Sequence, residues 1–128
     1  MRYLLDTHTV LWFWWNDPHL SATALQTIRS PSHQKLVSMA TPWEVAIKVG
    51  RRKLDVGGLP GQIFQKYMPL SKFAWLPIRL RHIDALATLP FHHKDPFDRM
   101  IIAQALSEDI PVISADTQFD AYGVRRIW

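Results

Sequence analysis

Residues 95–116 read DPFDRMIIAQALSEDIPVISAD, and this stretch decides the fold. Asp95-Pro96 opens a helix. A carboxylate cap precedes a proline at the first helical position, where the missing N–H has no intrahelical partner to lose. Met100, Ile101, Ala103, Ala105 and Leu106 supply apolar positions, so the spacing predicts a helix over 96–108. Residues 111–115, PVISA, form a short apolar run that predicts a strand ending at Asp116. Helix, short turn, strand, acid: this is the repeating unit of an α/β sheet.

The same pattern continues outward. Residues 2–5 (RYLL) read as a short buried strand that ends at Asp6. Residues 9–15 (TVLWFWW) are apolar on every side, which predicts a buried helix or a buried interface. Asn16-Asp17-Pro18 breaks that run, and Ser21 caps a helix over 22–29. A second strand is expected at 35–39 (KLVSM). Thr41-Pro42-Trp43-Glu44 reads as a capping box, with Thr as cap, Pro first and Glu third, opening a helix to about Arg52. A helix near 60–68, a strand at 74–78, a helix at 81–89 and a last strand at 124–128 complete the list. Alternating strands and helices predict one α/β domain over 1–128. Its sheet should be central and mostly parallel, with four or five strands and helices on both faces.

Composition narrows the function. The chain of 128 residues has 15 Lys+Arg against 11 Asp+Glu, a net charge of +4, which suits a polyanionic partner. It has no cysteine, which excludes a disulfide scaffold, a thiolate zinc site and a Cys nucleophile. No segment approaches the roughly 20 apolar residues of a membrane span. MRYLLD meets an acid at position 6, too early for a signal peptide, so a cytoplasmic location is expected.

Four acids fall where an α/β site would lie. Asp6 and Asp116 each follow an apolar strand, and ligands of open parallel sheets bind outside the carboxyl ends of the strands. Glu44 and Asp98 are each expected in the first turn of a helix that can face the same edge. Each acid also suits a capping role, and capping does not prevent metal binding. Clustered carboxylates repel one another and need a positive counterpart. An all-oxygen donor set suits Mg²⁺ or Mn²⁺.

The segments LLDTHTVLW, TPWEVAIKVGRRKL, KDPFDRMIIAQA and ISADTQFDAY closely resemble, in that order, those of the PIN-domain ribonucleases, specifically the VapC-type toxins of prokaryotic toxin–antitoxin pairs. The resemblance spans essentially the whole chain. One departure is Trp43, where the family often has a small residue before the Glu. The resemblance implies a PIN-like nuclease domain whose acidic quartet is Asp6, Glu44, Asp98 and Asp116. Asp6, Asp98 and Asp116 would be metal ligands, and Glu44 a ligand or a water positioner. Thr7 and Ser114 would be hydrogen-bond supports, with Asp95 and Asp120 as extra acids near the pit. It further implies one or two Mg²⁺ or Mn²⁺ ions, an RNA substrate, a cognate antitoxin, and a second copy of the chain as dimer partner. A catalytically silent PIN-like nucleic-acid-binding or regulatory protein is the alternative.

Basic residues around the pit would hold RNA phosphates: Arg51, Arg52 and Lys53 after the Glu44 helix, Arg79 and Arg81 near residue 80, Lys94, and Arg99. His92 and His93 are expected in a solvated loop, because an all-oxygen site does not call for imidazole. Trp12, Trp14, Trp15, Trp43, Trp75 and Trp128 are expected in core or interface packing rather than base stacking.

Other strand-then-acid folds fit less well. A haloacid-dehalogenase-like enzyme needs a second Asp where His8 stands, and a receiver-type domain needs a Lys after a late strand. A ribonuclease-H-like nuclease opens with an antiparallel meander, whereas helices follow the first strand here.

Overall fold

Leu4 and Leu5 show how the sheet is made. Successive residues of a strand point to opposite faces, and both leucines are fully buried, so both faces must be covered. The same alternation recurs at Leu36/Val37 and Val112/Ile113. Leu5, Val37 and Ile113 join one core cluster, with Val10, Phe64 and Met68. Leu4, Leu36 and Val112 join another, with Ile101, Ile102 and Phe119.

The computed structural model describes residues 1–128. It contains five strands: β1 (Arg2–Leu5), β2 (Gln34–Ser38), β3 (Ala74–Leu76), β4 (Val112–Ile113) and β5 (Arg126–Ile127). All pair in parallel, in the order β3-β2-β1-β4-β5. The helices are α1 (Thr7–Trp14), α2 (Ala22–Arg29), α3 (Ala40–Gly50), α4 (Pro60–Ser71), α5 (Leu80–Ala87) and α6 (Pro96–Glu108). A 3₁₀ helix spans Thr117–Tyr122. No helix is long and apolar enough to cross a membrane.

The expected architecture is present, and the sheet is wholly rather than mostly parallel. Three local differences have physical causes. Helix α1 begins at Thr7, directly after Asp6, because the Asp6 carboxylate accepts the Thr9 N–H at 2.9 Å. Helix α3 begins at Ala40, not after a Thr41 cap: Met39 is the N-cap, and the Ser38 hydroxyl accepts the Ala40 N–H at 3.1 Å. Thr41 is thereby wholly buried inside the helix, and Glu44 lies in its second turn rather than its first. Helix α4 passes through Pro69 to Ser71, three residues beyond the expected end, because Ser71 ties it to α1 by accepting the Trp14 indole N–H at 2.6 Å.

The strand order sets the position of the site. Chain direction across the sheet reverses at the β1/β4 pair, with β2 and β3 on one side of it and β5 on the other. Loops leaving the carboxyl ends of those two strands part there and leave a crevice. Asp6 follows β1 and Ser114 follows β4.

Candidate active site

Asp6 is 5% exposed and held at both oxygens. One accepts the Thr9 N–H, and the other accepts the Ser114 hydroxyl. Ser114 in turn accepts the Asp116 N–H at 3.0 Å, so one hydroxyl joins the acid after β1 to the loop after β4. Burial raises the Asp6 carboxyl above its ordinary value, against the lowering effect of these hydrogen bonds.

Glu44 enters from α3 and is 3% exposed. Its carboxylate accepts the Thr7 hydroxyl at 2.6 Å and the Lys48 ammonium at 2.7 Å. The Thr41 hydroxyl lies 3.3 Å from that of Thr7, within the same network. Thr7 therefore supports Glu44, not Asp6.

Asp98 occupies the third position of α6, and Asp95 is the N-cap, accepting the Phe97 and Asp98 N–H groups at 2.8 and 3.1 Å. Asp116 caps the 3₁₀ helix by accepting the Gln118 N–H at 2.9 Å. The electrostatic centre of the cluster is Asp98. Burial, then the charges of Asp95, Glu44, Asp6 and Asp116, push its carboxyl up to about 8. Five acids from four separate stretches of chain thus act on one another.

His93 was expected in solvent and stands inside the pit instead. Its Nε2 lies 3.1 Å from Asp98 Oδ2 and 3.2 Å from Asp116 Oδ2, with the side chain 11% exposed. The loop that carries it is fastened from behind. The His92 and His93 N–H groups donate to the Tyr122 hydroxyl at 2.9 and 2.7 Å. Arg99 donates to that hydroxyl, to Pro90 O and to Leu89 O, and lies over the Phe91 ring. His93 Nδ1 accepts the Asp95 N–H at 3.2 Å, so the neutral ring carries its proton on Nε2, toward the two acids. Potential ligand atoms of His93, Asp98 and Asp116 lie within 4.8 Å of one another.

Several expected phosphate contacts are placed elsewhere. Arg99 is 9% exposed and acts as the loop clamp just described. Arg81 pairs with Glu108 at 2.8 Å, ten residues along α6 from Asp98 and so about 15 Å away by helical rise. Arg79 is the N-cap residue of α5, whose His82 contacts the same Glu108. Asp120 gives its carboxylate to Arg126 at 2.8 Å, which lowers the acid's pKa. Arg51 and Lys53 do reach the site: together with Lys48 they line a cavity of about 500 Å³ shared with Glu44 and Asp95. Arg52, in left-handed conformation at φ 58°, folds Lys53 back so that its N–H meets Lys48 O at 2.9 Å. Arg52 and Lys94 are exposed and make no side-chain hydrogen bond or ion pair within the chain.

The sequence reading missed Lys48 and His93. Lys48 had a signal, since i and i+4 residues of a helix are neighbours and Glu44 precedes it by four. His93 had none, because it depends on the buried Arg99–Tyr122 clamp.

The tryptophans divide. Trp14 packs on Phe64, Tyr67 and Phe73 as expected of a core residue. Trp75 stacks on Phe64, and Trp12 meets Trp128. Trp43 and Trp15 are 60% and 44% exposed and so lie outside the core.

Comparison with known proteins agrees with this fold. The sequence profile of the PIN domain family matches residues 3–124. The chain belongs to the PIN-domain family. Solved structures share the fold at low identity. The VapBC2 complex of Rickettsia felis, bound to a DNA fragment from its promoter, aligns with a TM-score of 0.73 at 12% identity, covering 98% of this chain and 97% of that one. VapBC-1 of nontypeable Haemophilus influenzae gives 0.64 at 18% identity, with 98% and 96% covered. A toxin–antitoxin complex of Klebsiella pneumoniae gives 0.61 at 21% identity, with 93% and 90% covered. At these identities the likeness is one of fold. No curated protein matches the chain. This PIN domain therefore carries its acids at the β1/β4 crevice of a five-stranded parallel sheet.

Proposed function

We propose that this PIN domain is a divalent-metal-dependent endoribonuclease that acts as the toxin of a toxin–antitoxin pair and is silenced by a cognate antitoxin. The observation that carries the reading is the crowding of Asp6, Glu44, Asp95 and Asp116 around Asp98, whose carboxyl is pushed up to about 8. Carboxylates held together against their own repulsion are a natural seat for a hard cation. The donor set fits one: ligand atoms of the half-buried Asp98, Asp116 and His93 within 4.8 Å of one another, the buried carboxylates of Asp6 and Glu44, and no thiolate. Asp6, Asp98 and Asp116 would hold it, with Glu44 as a further ligand or water positioner.

A bound Mg²⁺ or Mn²⁺ would lower the pKa of a coordinated water and offset charge on the phosphate oxygens. The chain's own groups do the rest. Ser114 fixes Asp6 against the β4 loop. Lys48 and Thr7 orient the Glu44 carboxylate. Arg51 and Lys53 offer cations to phosphates beside the pit. Water would attack phosphorus in line with the leaving 3′ oxygen, which departs with a proton, leaving a 5′-phosphate and a 3′-hydroxyl.

The toxin assignment is supported by the fold shared with the toxin–antitoxin complexes named above. A homodimer and a cytoplasmic location belong to the same proposal. The test is incubation of the purified chain with cellular RNA and Mg²⁺ or Mn²⁺, beside an EDTA control and an Asp98→Asn variant. Cleavage only by the parent and only with metal supports the reading. RNA binding without cleavage under every condition would make the protein a silent binder.

A further inference from the structure

Two of the pit's acids each follow an aromatic residue. Trp43 precedes Glu44 on α3, and Phe97 precedes Asp98 on α6. Their rings meet edge to face, with centroids 4.9 Å apart and planes at 89°. An edge-to-face pair leaves an aromatic face uncovered, and Trp43 stays 60% exposed. A large indole left in water beside a charged site is not explained by core packing.

The pair lines the cavity of about 500 Å³ together with Ile47, Arg51 and Lys53. Glu44 and Asp95 line the same space. That volume lies within the range of ligand pockets. Aromatic rings, cations and pit carboxylates lining one cavity together match one nucleotide: a ring to stack, phosphates to neutralise and a phosphodiester to present. Stacking on aromatic side chains accepts any base, but the base must be unpaired to reach them.

We propose that Trp43 and Phe97 form a nucleobase-stacking subsite that receives one unpaired base of the RNA, while Arg51 and Lys53 hold the adjoining phosphates. This rests on the ribonuclease reading and narrows it to single-stranded segments.

The test uses the full chain. In an Asp98→Asn background, expected not to cut, anisotropy of a labelled mixed-sequence single-stranded RNA and of its duplex gives affinity. The expected result is single-strand binding that weakens about tenfold in Trp43→Ala, is kept in Trp43→Phe, and is weakened again by Phe97→Leu. Binding of the duplex should be weak throughout and indifferent to Trp43. In the cutting enzyme, Trp43→Ala should raise KM. Unchanged single-strand binding and unchanged KM in both Trp43→Ala and Phe97→Leu would overturn the subsite while leaving the nuclease intact. So would a Trp43→Ala effect that appears only as loss of a dimer in light scattering, since the face would then be a protein interface. Parent protein that neither binds nor cuts RNA would instead overturn the ribonuclease reading on which the subsite depends.

Discussion

At the residue scale the decisive group is Asp98. Its carboxyl, ordinarily near 3.8, is held up to about 8 by burial and by four neighbouring acids. Between those values the folded chain keeps a proton that the unfolded chain has released. Stability therefore falls as pH rises through this window. Thermal melts of the metal-free protein should show Tm declining from about pH 4 to pH 8. Asp98→Asn should flatten the decline and melt higher than the parent at pH 8, while abolishing cleavage. A parent Tm that does not fall over this range would contradict the crowding account. His93 supplies the second residue-scale prediction. Its Nε2–H lies between Asp98 and Asp116. Groups that orient metal ligands typically contribute 10–100-fold to metal affinity. Calorimetric titration with Mn²⁺ should show His93→Ala weakened by about that factor, with His93→Gln partly restored because its amide still donates. Equal affinity in all three proteins would remove His93 from the site.

At the element scale, the two ends of α6 do opposite things. Its first turn gathers repelling acids, and its last turn gathers attraction. Glu108 accepts from His82 and Arg81 and lies 3.6 Å from Arg2, joining α6 to α5 and β1. The His82 hydrogen bond and then Arg81 hold the Glu108 carboxyl down to about 2. This depressed acid contributes stability that is present above its ordinary value near 4.5 and is lost as pH falls toward 2. Urea unfolding at pH 7 should show Glu108→Gln less stable by about 2 kcal/mol, as expected for a hydrogen bond to a charged group. A loss under about 0.5 kcal/mol would mean that the network is solvated.

What the sequence reveals follows the same division. Local signals were legible: Asp95-Pro96 as cap and first residue, Ser21 as a cap, and acids directly after β1 and near the end of β4. Signals that depend on tertiary packing were not. Thr41 looks like a cap in isolation, but burial draws it into the helix. Arg99 looks like a phosphate contact beside Asp98, yet its guanidinium spans Leu89, Pro90 and Tyr122, which only the folded chain brings together. His93 enters the pit through that same clamp.

At the scale of the whole molecule, charge is separated. The net charge of +4 hides a concentrated acidic pit in a basic shell. RNA binding should therefore weaken with salt. For single strands the logarithmic slope is about −0.7 per phosphate neutralised. Lys53→Ala and Arg51→Ala should each reduce the slope by about that amount, whereas Arg81→Ala, paired with Glu108 at the far end of α6, should leave it unchanged. An equal effect at all three positions would mean diffuse attraction rather than a track beside the pit.

The central claim is that this pit cuts RNA with water and a divalent cation. Identification of the product ends tests it most directly. The account predicts 5′-phosphate and 3′-hydroxyl termini that require Mg²⁺ or Mn²⁺ and vanish in Asp98→Asn. Termini bearing a 2′,3′-cyclic phosphate and a 5′-hydroxyl, formed equally well in EDTA, would contradict it.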